Sequence, residues 1–259
     1  MIEGNDVMSK VFAVMNQQGG IGKTVTSVNL SVAFAQKGYK VLLIDGDAQG
    51  NTTRCFGISN KGVDNTLYDM LSETSSIKKC VRQNVVAGLS IIPSSIELAG
   101  LEIELEEKTD REFILKKKLQ NVKEEYDYII IDCPPVLNLV AVNALAVAAG
   151  VIVPMQCDSF ALERFERVNQ TIEIVKEELN PDIKIEGMLF TMYDSENSEE
   201  TEIIKEARGR LKEKIFANII PRDVNLAKAD AAGLAIYSYE SNSPGAECYK
   251  ELADEISKK

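Results

Sequence analysis

The chain of 259 residues contains no histidine. That absence removes Ser–His–Asp and Cys–His catalysis and every histidine-ligated metal centre. Any chemistry must then rest on carboxylates, lysine, backbone amides and a bound ion. Cysteine is sparse: Cys55, Cys80, Cys133, Cys157 and Cys248 are odd in number, scattered, and without CxxC spacing. That argues against a disulfide framework or a cysteine zinc site, and a reducing cytosol, hence a cytoplasmic protein, is the expectation. No run approaches the ~18 consecutive apolar residues of a membrane span. The opening MIEGNDVMSK lacks the apolar stretch of a signal peptide, so nothing points to export. Positive charge is short as well. Lysine and arginine number 29 against 40 aspartates and glutamates, a net charge of −11. No chain-wide electrostatic footprint for DNA exists, which leaves only a local basic patch for that role.

What is present suits a folded α/β domain. Hydrophobic residues make up 45% and charged residues 27%, enough to bury a sizeable core. Seven short apolar runs read as buried strands: VFAVMN (11–16), KVLLID (40–45), LSIIP (89–93), YIIID (128–132), VIVPM (151–155), GMLFTM (187–192) and FANIIP (216–221). Helical patterns lie between them, most clearly over 23–36, 111–124, 139–149, 161–178, 199–214 and 245–258, with a shorter helix over 67–72. Strand–helix alternation with continuously apolar strands predicts a doubly wound, mainly parallel sheet covered by helices on both faces. No repeat or linker divides the chain, so residues 10–259 are expected to form one domain. Residues 1–9 read as an N-terminal extension, with Met8 an alternative start that would make residues 1–7 an appended remnant.

The first strand runs into NQQGGIGKTVT (16–26) and then into the apolar helical face of Val28, Val32 and Ala35. Strand, GxGKT turn, helix is the context of a phosphate loop. Gly19, Gly20 and Gly22 let backbone N–H groups curl around phosphate oxygens, and the helix N-terminus adds partial positive charge. The amides from Gly19 through Ile21 to Val25 would face the phosphates. Lys23 would neutralise the β- and γ-phosphates of ATP, and the Thr24 hydroxyl would ligate Mg²⁺. The first glycine of an ordinary GxxxxGKT loop would fall at position 17, which holds Gln17. Two carboxylates follow later strands. Asp47 in VLLIDGDAQGN sits just beyond a strand end, at the sheet edge where α/β proteins bind ligands, and Asp45 before it would fix the loop. Taken alone, Asp47 reads as a turn residue. Asp132 in YDYIIIDCPPVLN ends a buried strand, where an unpaired carboxylate is costly and either Mg²⁺ or the cap of the next helix would engage it.

These segments together resemble the ParA/MinD family of ATPases. The loop is similar to that family's deviant Walker A sequence, KGGxGKTT, and VLLIDGDAQGN and YIIIDCPP are similar to its VLLIDxDPQGN and hhhhDxPP segments. The likeness continues through VIVPMQCDSFALE, GMLFTMYDS, IPRDVNLAKA and SPGAECYKELADEI, from Lys10 to Ile256. In the family the lysine before GG reaches across an ATP-bound dimer to the other subunit's phosphates. Gln18 stands at that position here, and Val25 replaces the second threonine. The resemblance implies that Asp47 positions the attacking water and that Asp132 serves the Mg²⁺ site, partly through water. It places the adenine near Met192, Pro221, Arg222 and Asp223. Ala48 replaces the usual proline beside Asp47.

The resemblance also implies an ATP-dependent homodimer, a ParB-like activator protein, slow hydrolysis and a role in partition of a plasmid, mobile element or chromosome. In the family's chromosome and plasmid partition branch, which the chain resembles most, the ATP-bound dimer binds DNA nonspecifically through surface lysines and arginines. Two of the usual arginine positions hold Glu196 and Asn225, and residues 194–206 carry six acidic side chains against one lysine. Remaining basic candidates are Lys116–Lys118, Arg208, Arg210, Lys212 and Lys214, whose plainer reading is a solvated helix face. An ATPase that positions a protein cargo without binding DNA is therefore the alternative. A metal-cluster ATPase would need a cysteine pair that is missing, and a non-hydrolysing nucleotide module is the remaining rival. The tail ECYKELADEISKK mixes both signs and looks like a packing helix, not a membrane-binding one.

Overall fold

The computed structural model describes residues 9–258, so the proposed extension lies outside the described residues except for Ser9. The Ser9 hydroxyl donates to the backbone carbonyl of Tyr126 at 2.6 Å. Among the described residues seven strands form one sheet: β1 (Lys10–Val14), β2 (Val41–Asp45), β3 (Arg82–Val86), β4 (Leu89–Ile92), β5 (Tyr128–Asp132), β6 (Gly150–Gln156) and β7 (Lys184–Thr191). Their order is β3-β4-β2-β5-β1-β6-β7, and every pairing is parallel except β3 with β4. All five residues of β2 and of β5 are buried, as continuously apolar parallel strands with both faces covered require.

The main helices are α1 (Lys23–Gln36), α2 (Asn51–Arg54), α3 (Leu67–Leu71), α4 (Ile77–Cys80), α5 (Leu101–Glu104), α6 (Ile114–Leu119), α7 (Leu139–Val147), α8 (Ala161–Glu178), α9 (Ser198–Leu211), α10 (Val224–Ala232), α11 (Ile236–Tyr239) and α12 (Pro244–Ser257). Helices α3 to α9 bury their apolar residues against one face of the sheet, and α1 with α10 to α12 cover the other. On the second face Phe34 of α1 stacks on Tyr128 of β5 with ring centroids 4.0 Å apart, and Tyr39 meets the same ring edge-on at 5.0 Å. Among the described residues no helix is long and apolar enough to cross a membrane, and all five cysteines are free.

Two expectations need correction. FANIIP is not a strand. It follows the edge of β7 with two isolated bridges, Met188 to Ile215 and Tyr193 to Pro221. Between them the amides of Ala217 and Asn218 donate to the Glu255 carboxylate of α12, at 2.8 and 3.1 Å, and so leave the ladder. The seventh strand is instead β3, whose polar sequence RQNVV carries no buried-strand signal because it is an antiparallel edge. The helix expected over 111–124 is also shorter: a 3₁₀ turn (Arg111–Phe113) leads into α6, and a second one (Lys123–Glu125) follows. Asn143 of α7 closes its first turn by accepting from the Leu115 amide at 3.0 Å.

The topology places the site. From β1 the chain crosses over β5's position to β2, whereas β5 leads to β6 on the opposite flank of β1. The carboxyl end of β1 is therefore the point where the strand order reverses, and a crevice opens there.

Candidate functional site

The glycine loop leaves β1 through Asn16, which is 2% exposed. Its side-chain amide donates to the Pro154 carbonyl at 2.8 Å, and its Oδ1 accepts the Gln18 amide at 3.1 Å, which turns the chain out of the sheet. Gly20 and Gly22 have φ of 73° and 87°, a left-handed conformation that strains any side chain. The Thr191 hydroxyl at the end of β7 donates to the Ile21 carbonyl at 2.9 Å and ties the loop to the sheet. Space is open where side chains on Gly19 and Gly20 would project, so backbone amides can approach a bound anion. Lys23 follows, largely buried, with Nζ donating to the Gln18 carbonyl at 2.6 Å. Burial lowers its pKa, against the opposing pull of Asp132 and Asp47.

Asp132 lies beneath the first turn of α1. It is 1% exposed and accepts three hydroxyls: Thr24 at 2.9 Å and Thr52 at 2.7 Å on Oδ2, and Ser27 at 2.9 Å on Oδ1. Burial raises its pKa and the hydroxyl bonds oppose the shift. It pairs in register with Asp45 of β2. Burial, and then the Asp132 charge, push Asp45 up to about 7. Asp45 holds the following loop as expected: Oδ1 accepts the Asp47 amide at 3.2 Å, and Oδ2 accepts the amide and hydroxyl of Thr53 at 2.7 and 2.6 Å. Ser94, just beyond β4, completes the clamp. Its hydroxyl donates to the Asp47 carbonyl at 2.5 Å and its amide to the Thr53 hydroxyl at 2.8 Å. The loop passes so close that a Cβ on Gly46 would sit 2.7 Å from the Asp132 carbonyl oxygen.

These elements wall a cleft of about 570 Å³, large enough for a nucleotide. Gly19, Gly20, Gly22, Lys23, Thr24 and Val25 line it, together with Asp47 and with Met192, Pro221, Arg222 and Asp223. The four adenine candidates thus share one cavity with the glycine loop, although they lie far along the chain. Asp223 has both carboxylate oxygens engaged, by the amides of Asn225 at 2.8 Å and Gly245 at 3.0 Å, so it caps α10 and anchors α12. Gln18 is half-buried, and its side-chain oxygen is buried without a hydrogen-bond partner among the described residues. The donor chemistry fits Mg²⁺ with a nucleotide: a hydroxyl and a carboxylate meet at the start of the helix that follows an anion-accepting turn.

The candidate DNA surface is less open. Lys117 pairs with Asp110 at 3.2 Å, Lys118 with Glu73 at 3.3 Å and Arg210 with Glu206 at 3.0 Å. Arg208 donates to the Ala217 carbonyl at 2.9 Å, and Lys214 to the Asn169 side chain at 3.3 Å. Glu196 is exposed in the turn before α9, and Asn225 lies in the first turn of α10. Sequence reasoning missed the hydroxyl set Ser27, Thr52, Thr53 and Ser94. These residues lie in α1, in α2 and just beyond β4, and small polar residues at such places carry no motif.

A parallel sheet whose first strand feeds a glycine turn, a lysine and a threonine above a buried aspartate defines a P-loop nucleotide-binding fold. Comparison with known proteins agrees. Residues 9–185 match the AAA_31 family, described as an AAA domain. The chain is 42% identical over 249 residues to the sporulation initiation inhibitor protein Soj of Bacillus subtilis, covering 96% of this chain and 98% of that protein. It is 38% identical over 252 residues to the chromosome partitioning protein ParA of Myxococcus xanthus, with 97% and 89% covered. Among solved structures, cobyrinic acid a,c-diamide synthase from Mycobacterium smegmatis, with bound ADP and magnesium, superposes with a TM-score of 0.82 at 32% identity over 95% of this chain and 93% of that one. The chain belongs to the AAA_31 family and is a P-loop ATPase of the ParA/MinD type.

Proposed function

We propose that the chain is a Mg²⁺-ATP-dependent switch that dimerises with ATP, hydrolyses it slowly, and acts in partition of DNA. The observation that carries this reading is the contact of Thr24 with Asp132, 2.9 Å apart, at the first turn of the helix behind the glycine loop. It rests further on likeness to Soj and ParA proteins along almost the whole chain. The loop reads as a deviant Walker A with Gln18 in place of its signature lysine. Amides from Gly19 to Val25 bind the phosphates and Lys23 neutralises them. Thr24, with Asp132 and Asp47 partly through water, would hold Mg²⁺, which supplies charge to the β- and γ-phosphates. Asp47 orients the attacking water and gains its position from Asp45, Thr53 and Ser94. Met192, Pro221, Arg222 and Asp223 frame the base. Catalysis of this kind is positioning plus electrostatics, which suits a chain without histidine.

Gln18 stands where a second subunit closes over the phosphates. A neutral amide brings no charge there, so the dimer is weaker than one joined by lysine. A ParB-like protein supplies the stimulation, and the protein works in the cytoplasm. Size-exclusion chromatography with light scattering, using a non-hydrolysable ATP analogue and Mg²⁺, tests the reading. A dimer that forms only with the analogue and then binds nonspecific DNA in a salt-sensitive way supports it. A monomer under every condition overturns it. A dimer that ignores DNA at low salt favours the cargo-positioning alternative, for which Glu196, Asn225 and the engaged basic side chains speak.

A further inference from the structure

Arg54 ends α2 and lines the same cleft as the glycine loop, yet neither the phosphate motifs nor the strand-end carboxylates include it. Among the described residues three basic ones line this cavity, Lys23, Arg54 and Arg222. Lys23 donates to the Gln18 carbonyl at 2.6 Å, and Arg222 lies 3.9 Å from Glu200. Among the described residues the Arg54 guanidinium has no hydrogen bond or ion pair. The residue is exposed, but its backbone is anchored. The two preceding residues are pinned, Thr52 to Asp132 at 2.7 Å and Thr53 to Asp45 at 2.6 Å, so the backbone of Arg54 is held relative to the phosphate loop.

The side chain is guided as well. Gly233, with φ of 66°, lies against it, and a Cβ there would come 3.2 Å from Arg54 Cγ and 3.4 Å from Nε. A residue with a side chain at 233 would crowd the arginine stem.

Electrostatics call for such a group. The cleft wall carries Asp47, Asp223 and Asp230, in a chain of net charge −11. A triphosphate entering that field gains from a cation beside Lys23, and a guanidinium fork matches phosphate oxygens in geometry. Val25, on the first turn of α1 and lining the same cleft, offers no side-chain donor.

We propose that Arg54 is a nucleotide-binding residue whose guanidinium contacts the phosphate chain from the α2 side, opposite the glycine loop. This rests on the nucleotide reading above and adds a contact that the loop motif does not contain. The test compares wild type, Arg54→Ala and Arg54→Lys for binding of MgATP, with inorganic tripolyphosphate as competitor, in titrations monitored by calorimetry. Arg54→Ala should weaken both MgATP and tripolyphosphate about tenfold, the scale of one charge-assisted hydrogen bond. Arg54→Lys should recover part of the loss. Unfolding curves without nucleotide should be unchanged for both variants. Equal affinity in wild type and Arg54→Ala overturns the proposal. A loss for MgATP with tripolyphosphate unmoved overturns the phosphate contact in favour of a base or ribose contact. If wild type binds neither ligand, the nucleotide reading itself fails, a result distinct from a wild type that binds and a variant that matches it.

Discussion

Replacing Thr52 by valine removes one hydroxyl donor from Asp132 and keeps the shape of the side chain. Thr52 is fully buried and its Oγ1 lies 2.7 Å from Asp132 Oδ2, while Thr24 and Ser27 remain in place at 2.9 Å each. A hydrogen bond to a charged group contributes about 1.5–3 kcal/mol. A loss of ~2 kcal/mol lowers Tm by roughly 4–8 °C in a chain of this size. The dependence on pH has a definite sign. Burial raises the Asp132 pKa above the ordinary carboxylate range, so the folded chain holds that proton more tightly than the unfolded chain does. The resulting stabilisation is present at low pH and is lost as pH rises through the folded value. The Thr52 hydroxyl offsets that loss by stabilising the ionised carboxylate. Thr52→Val should therefore destabilise the nucleotide-free protein more near pH 8 than near pH 5. Thermal unfolding at the two pH values measures both effects. Equal losses at both, or a loss under ~0.5 kcal/mol, the size of an ordinary surface change, would refute the reasoning.

Ser94→Ala removes the 2.5 Å bond to the Asp47 carbonyl, so kcat for ATP should fall about tenfold with the ATP Kd within about twofold; steady-state turnover beside equilibrium binding separates the two. Gly187→Ala would put a Cβ 2.7 Å from the ring of Phe216, which is fully buried, and should lower stability by ~2–3 kcal/mol in urea unfolding. Asn143→Ala removes bonds to the Arg111 and Leu139 carbonyls, at 2.8 and 3.0 Å, and to the Leu115 amide. It should cost ~2–4 kcal/mol and release the Arg111–Leu119 segment, seen as faster amide exchange there.

Much of this molecule is legible in its sequence because its central strands are buried on both faces. β2 and β5 read as VLLID and YIIID, apolar throughout until the terminal aspartate, and that residue is a site or scaffold carboxylate in both. The phosphate loop is legible for a similar reason, since its glycines and lysine act locally. Contacts that depend on chain segments meeting in space are not. Ser94 and Asp47 lie 47 residues apart, and nothing in PSS after β4 announces a clamp on the Asp47 carbonyl. The edges mislead in both directions. β3 is polar because one side of it is unpaired, and FANIIP looks like a strand although Glu255 takes two of its amides. Arg54 was equally silent, because an arginine at the end of a four-residue helix has no pattern to mark it.

Phosphate release from ATP by the purified chain, with and without Mg²⁺ and beside Asp47→Ala, bears most directly on the proposed switch. Slow turnover that requires Mg²⁺ and disappears in Asp47→Ala, with ATP still bound by the variant, is the expected result. Turnover that survives Asp47→Ala undiminished, or a wild-type chain that binds no nucleotide, would contradict it.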